Sequence, residues 1–138
     1  MNSTEYQLTV GDLMTMEPVV VAVDAQIEEA QGLILEHGVS GLPVVDDSGE
    51  LVGVISQTDF MHLENWDLGH LIHQKRSGIR VGEVMSRPAV TVLLSTSLAD
   101  AARTMLDDRV HRVVVVDEQR KPIGVLSAMD FVQLYADE

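Results

Sequence analysis

Two short runs place a hydroxyl three residues ahead of a carboxylate, Ser56-Gln57-Thr58-Asp59 and Ser127-Ala128-Met129-Asp130. Each follows a β-type apolar run and precedes a helical one, so the serine falls where a strand passes into a helix. Free backbone N–H groups and the positive end of the helix make that junction a possible anion site, to which hydroxyls add donors. The same pattern also serves as an N-cap followed by a first-turn acid, and a duplicated cap would be inherited twice. His111-Arg112 adds a permanent charge with planar donors, suited to phosphate, beside a ring nitrogen that can donate. His70 and His73 could share a helix face but have no third ligand, so no metal is expected. Asp46-Asp47-Ser48-Gly49-Glu50 is acidic enough for calcium, yet too short for an EF-hand loop, and reads as a turn. No Ser-His-Asp set, phosphate loop or acid–base pair emerges, so no catalytic residue is assigned and no enzyme is expected.

The elements that must position these residues occur twice. At an offset of 71, Val10-Gly11-Asp12-Leu13-Met14 falls on Val81-Gly82-Glu83-Val84-Met85, and Val44-Val45-Asp46 falls on Val115-Val116-Asp117. Gly53-Val54-Ile55-Ser56 falls on Gly124-Val125-Leu126-Ser127, and Asp59-Phe60 on Asp130-Phe131. Such ordered matching is the signature of an internal repeat. Within the first copy a β-branched run at Val19–Val23 gives way to a helical period through Ile27, Ala30, Ile34 and Leu35, stopped by Gly38 at a C-cap position. Strands are expected at Leu42–Val45 and Leu51–Ile55, joined by the Asp46–Gly49 turn, with a further helix from Thr58 to Leu63. The second copy repeats the order at Ala89–Leu93, Leu98–Leu106, Val113–Val116, Pro122–Leu126 and Met129–Tyr135. The expected class is therefore α/β, a tandem pseudo-two-fold duplication of a β-α-β-β-α unit. One unit of about 55 residues covers its own apolar surface poorly, so the two copies are expected to fold together. The intervening Glu64–Arg80 reads as a partly helical linker, with Trp66 as a packing anchor. Met14, Met16, Met61, Met85 and Met105 read as packing residues.

Composition narrows the function further. The net charge is −13, and all 9 lysines and arginines lie at or after Lys75. A phosphate backbone would meet an acidic first half, so nucleic-acid binding is not expected, and an anionic ligand must find its positive charge in the second half. The chain has no cysteine, which removes disulfides and thiolate chemistry and suits a reducing cytosol. No apolar run reaches the roughly 20 residues of a membrane span, and Met1–Thr9 is unlike a signal peptide. A cytoplasmic location, with no membrane association, is the expectation.

The runs Val39-Ser40-Gly41-Leu42-Pro43-Val44-Val45-Asp46 and Leu51-Val52-Gly53-Val54-Ile55-Ser56-Gln57-Thr58-Asp59 resemble the cystathionine-β-synthase-type (CBS) domain, as do Val110 to Asp117 and Pro122 to Asp130. The resemblance spans Val10 to Leu134, and His111-Arg112 is similar to the pair in the γ-subunits of AMP-activated protein kinase. It implies a stand-alone pair of CBS units, 10–63 and 81–134, joined by the linker 64–80. It also implies a regulatory, ligand-sensing role, with AMP, ADP, ATP or another adenosyl ligand bound in clefts between the units and no cofactor required. By this resemblance Asp59 and Asp130 accept the ribose hydroxyls, while Ser56, Thr58 and Ser127 contact phosphate or ribose; Met129 replaces the second hydroxyl of the last copy. One cleft would combine Ser56, Thr58 and Asp59 with His111 and Arg112, and is the one expected to take phosphate. The other would combine Ser127 and Asp130 with Ser40, Gly41, Leu42 and Pro43. The resemblance further implies a homodimer formed through helices and an unknown regulated protein. The alternative function is an interaction module whose clefts no longer bind nucleotide.

Overall fold

A computed structural model describes residues 8–65 and 78–137; Trp66, His70, His73 and most of the expected linker lie outside the described residues. The chain divides into two compact units, Val19–Ala89 and Met1–Pro18 with Val90–Glu138, here the Asp59 unit and the Asp130 unit after the carboxylate each contains.

In the Asp59 unit, β2 (Val21–Ala22), α2 (Ile27–His37), β3 (Gly41–Val45), β4 (Leu51–Ser56) and α3 (Gln57–Asn65) follow in order. The sheet is mixed, with β2 parallel and β4 antiparallel to β3. Alternation along β4 buries Leu51, Gly53 and Ile55 and leaves Val52, Val54 and Ser56 half-covered, the period expected of a sheet with one face on a core. That core comprises Val21, Ala30, Ile34, Leu42, Val44, Ile55 and Val81. The helix α2 ends at Gly38, whose φ of 63° is the left-handed cap that glycine adopts at least cost.

The Asp130 unit repeats the plan. It contains α1 (Val10–Leu13), β1 (Thr15–Met16), β5 (Thr91–Leu93), α4 (Leu98–Asp108), β6 (Arg112–Val116), β7 (Pro122–Ser127) and α5 (Ala128–Ala136). Its sheet runs β1-β7-β6-β5, with β5 parallel to β6 and the other pairs antiparallel. The register shift between Val44 and Val45 recurs between Val115 and Val116, so the duplication extends to an irregularity of the ladder. Val10, Val92, Ala101, Met105, Val113, Val115 and Leu126 form its core.

The two cores show that the opening segment of each repeat is exchanged. Val81, which begins the second repeat, is fully buried in the Asp59 unit, and Val10, which begins the first, is fully buried in the Asp130 unit. Val54 and Ser86 exchange backbone hydrogen bonds of 3.0 and 2.9 Å, and β1 lies against β7 with Thr15 opposite Val125. Gly53 permits the first approach: a Cβ there would lie 2.9 Å from the Ser86 carbonyl oxygen and 2.7 Å from Met85 Sδ. Gly124 does the same beneath Met14 and Thr15. Three short extra elements, α1, β1 and a 3-10 turn at Val81–Glu83, were outside the sequence expectation of β-α-β-β-α.

Candidate adenosyl-ligand sites

The strand β4 delivers Ser56 to the start of α3, and the side chain of Asp59 folds back on that start. Asp59 Oδ2 accepts from the Ser56 N–H at 2.8 Å and from Ser56 Oγ at 3.2 Å, so a third-position acid satisfies a free donor at the helix entrance. Its other oxygen, Oδ1, accepts from Ser86 Oγ at 2.7 Å. Asp59 is 7% exposed, the one buried charged side chain among the described residues. A carboxylate is covered in this way only where donors surround it.

Gly41 stands opposite Ser56 in the ladder, and the Ser40 carbonyl accepts from the Gln57 N–H at 2.9 Å. The loop and the Ser-x-x-Asp run of one repeat are thus neighbours within one unit. Leu42 and Pro43 are buried, and Leu42 belongs to the core, so a ligand at that strand would meet backbone and the small residues Ser40 and Gly41. Thr58 is exposed on the first turn of α3.

At the second copy Ser127 N–H donates to Asp130 Oδ2 at 2.8 Å, and the Asp130 N–H donates to Ser127 Oγ at 3.3 Å. Asp130 is half-buried rather than buried, and its Oδ1 receives no hydrogen bond among the described residues. Arg112 stands opposite Ser127 in the ladder, and the carbonyl of His111 accepts from the Ala128 N–H at 2.7 Å. The guanidinium of Arg112 makes no ion pair among the described residues, and His111 is exposed. Each grouping implied by the resemblance, Asp59 with His111 and Arg112 or Asp130 with Ser40 to Pro43, takes residues from both units. Within a unit, the neighbours are Arg112 with Ser127 and Gly41 with Ser56.

Ser86 was missed in reading the sequence. Its signal was available: it follows Met85 as Thr15 follows Met14, a matched pair of hydroxyl residues just beyond the repeated Val-Gly-acid-aliphatic-Met run. The acidic turn needs no ion. Asp46 Oδ1 accepts from Ser48 N–H, Ser48 Oγ and Glu50 N–H at 2.9, 2.6 and 3.0 Å, and these donors, the Ser48 hydroxyl foremost, hold its pKa below the ordinary carboxylate value. Among the described residues no group of three or more metal-ligating side chains occurs, and no helix is long and apolar enough to cross a membrane.

Comparison with known proteins gives the same two repeats. The CBS domain profile matches residues 10–65 and 81–137. The chain is similar to the chloroplastic CBS domain-containing protein CBSX2 of Arabidopsis thaliana, with 35% identity across 91% of this chain and 62% of that protein. A crystal structure of CBSX2 in complex with AMP matches with a TM-score of 0.81 and 38% identity, covering 94% of this chain and 96% of that one. The CBS domain pair of protein MJ0100, in complex with 5′-methylthioadenosine and S-adenosyl-L-methionine, matches with a TM-score of 0.80 and 25% identity, covering 95% and 98%. The L-aspartate semialdehyde sulfurtransferase of Methanocaldococcus jannaschii is 27% identical over 91% of this chain, which spans only 23% of that enzyme. The chain therefore spans less than two thirds of these curated relatives.

Proposed function

Because this chain belongs to the CBS domain family, with the domain in tandem, we propose that it is a regulatory module that binds an adenosyl ligand, AMP or a close chemical relative, with ribose held by Asp59 and Asp130. The carrying observation is the repeated junction, in which a serine N–H holds Oδ2 of the aspartate at 2.8 Å in both copies. A carboxylate fixed in this way at a helix entrance presents acceptors to a vicinal diol, and the helix start and serine hydroxyls suit phosphate. The AMP complex of CBSX2 and the 5′-methylthioadenosine and S-adenosyl-L-methionine complex of the MJ0100 pair support the adenosyl class. Binding would regulate a partner by favouring one of two conformations or assemblies, to the extent that the ligand prefers it.

Heat unfolding with and without ligand tests the proposal. A ligand selective for the folded chain stabilises it by about 2.7 kcal/mol when present at about 100 times its Kd, so AMP, ADP, ATP, 5′-methylthioadenosine or S-adenosyl-L-methionine is expected to raise the midpoint. If none of the five moves it, the interaction-module alternative stands instead.

We also propose a homodimer built on the helices. The exposed apolar positions are duplicated: Leu35 corresponds to Leu106 and Met61 to Val132, and all four are at least half-exposed. In the Asp130 unit, Leu106, Phe131, Leu134 and Tyr135 line a groove of about 1230 Å³. An exposed apolar face can meet the same face of a second copy across a two-fold axis. The solution mass at micromolar concentration is expected to be twice 15.1 kDa; a strict monomer would remove the dimer and leave ligand binding untouched.

A further inference from the structure

The two aspartates differ in how many acceptor positions remain open. A carboxylate has about four lone-pair positions, and a ribose diol needs two of them. Asp59 already takes three donors, Ser56 N–H, Ser56 Oγ and Ser86 Oγ, which leaves about one. Asp130 takes one donor from the described residues, Ser127 N–H, which leaves about three. Ser86 has a counterpart in Thr15, yet no hydrogen bond joins Thr15 to Asp130. The Ser127 hydroxyl differs as well, accepting from the Asp130 N–H where the Ser56 hydroxyl donates to its aspartate.

Resting on the adenosyl-binding reading, we infer that Ser86 is a specificity-determining residue at Asp59: its hydroxyl occupies an acceptor position that the ribose needs there, so Asp59 holds the ribose diol less tightly than it would without that hydroxyl. A ribose arriving at Asp59 must displace one hydroxyl donor before both of its own can be accepted. A ligand with a single ribose hydroxyl meets no such competition. Ser86 therefore lowers affinity for the diol at Asp59 while leaving a 2′-deoxy ligand almost unaffected, and it narrows the discrimination between the two at that site.

The full chain is titrated calorimetrically with AMP and with 2′-deoxy-AMP as wild type, Ser86→Ala, Asp130→Asn and the double variant. Wild type is expected to take AMP in two steps, with Asp130→Asn removing one and leaving the step at Asp59. Adding Ser86→Ala to Asp130→Asn is expected to tighten the remaining AMP step about tenfold, the size of one hydrogen bond to a charged group, and to change 2′-deoxy-AMP less than about twofold. Ser86 is exposed, so its truncation leaves the core intact. Should Asp130→Asn not fold, Ser86→Ala alone gives the same answer, with one AMP step tightening about tenfold and the other unchanged. An unchanged AMP affinity on removal of the Ser86 hydroxyl, or an equal gain for both ligands, overturns the inference while the binding reading stands. A wild type that binds AMP in no step overturns the binding reading, and the inference falls with it.

Discussion

Titrated with AMP, Arg112→Ala is expected to weaken one of the two binding steps about 10- to 100-fold and to leave the other unchanged, while its affinity for adenosine stays within about threefold. The difference arises because a charge-assisted hydrogen bond contributes about 1.5–3 kcal/mol and adenosine has no phosphate to receive it. Arg112 is the first residue of β6 and lies opposite Ser127 in the ladder, so its backbone is fixed before any ligand arrives. It spends no charge on an ion pair among the described residues, in a chain whose net charge is −13. An acidic protein that binds an anion must concentrate its attraction at such a free guanidinium, whose planar donors match phosphate oxygens better than an ammonium does. Arg112 is only half-buried, so raising the salt concentration is expected to shrink the gap between AMP and adenosine. An Arg112→Ala chain that binds AMP as tightly as wild type would place the phosphate elsewhere.

The Asp59→Asn/Asp130→Asn double variant is expected to lose AMP and adenosine alike, by about 100-fold or more. Each substitution keeps one oxygen to accept the serine N–H but puts an NH2 where the second acceptor stood, and two ribose donors then compete for too few lone pairs. Two weakened bonds to a formerly charged group, at about 1.5 kcal/mol or more each, give that factor. The two ligands separate this result from the first prediction: the aspartates act on ribose, which both possess, and Arg112 on phosphate, which one lacks. Unfolding midpoints without ligand check that both variants remain folded. Adenosine that binds the double variant normally would remove the aspartates from ribose recognition.

Several features of this molecule are set by residues close together in sequence, and these were legible without a structure. The helix Ile27–His37 follows from its apolar period and from Gly38, which takes the left-handed cap. Asp46-Asp47-Ser48-Gly49 closes on itself through the Asp46 carboxylate, and the strands on either side follow from apolar runs bounded by it. The Ser-x-x-Asp junctions are local for the same reason: the carboxylate reaches back only three residues. Position-by-position duplication then fixed the element order of the second half from the first.

Tertiary structure alone decided which repeat each opening segment completes. Val10 and Val81 begin matched segments of the same character, and both sheets present the same kind of apolar surface, so local pattern favours neither arrangement. The outcome depends on chain path and close packing over long sequence separations, with Ser86 reaching β4 and Thr15 reaching β7. Gly53 and Gly124 were visible as glycines, but what passes over them was not. The same exchange brings the Ser86 hydroxyl onto Asp59 across 27 residues, a contact that no periodicity encodes. The sequence alone therefore determined two matching carboxylate sites; their inequality arises from one hydroxyl delivered by packing.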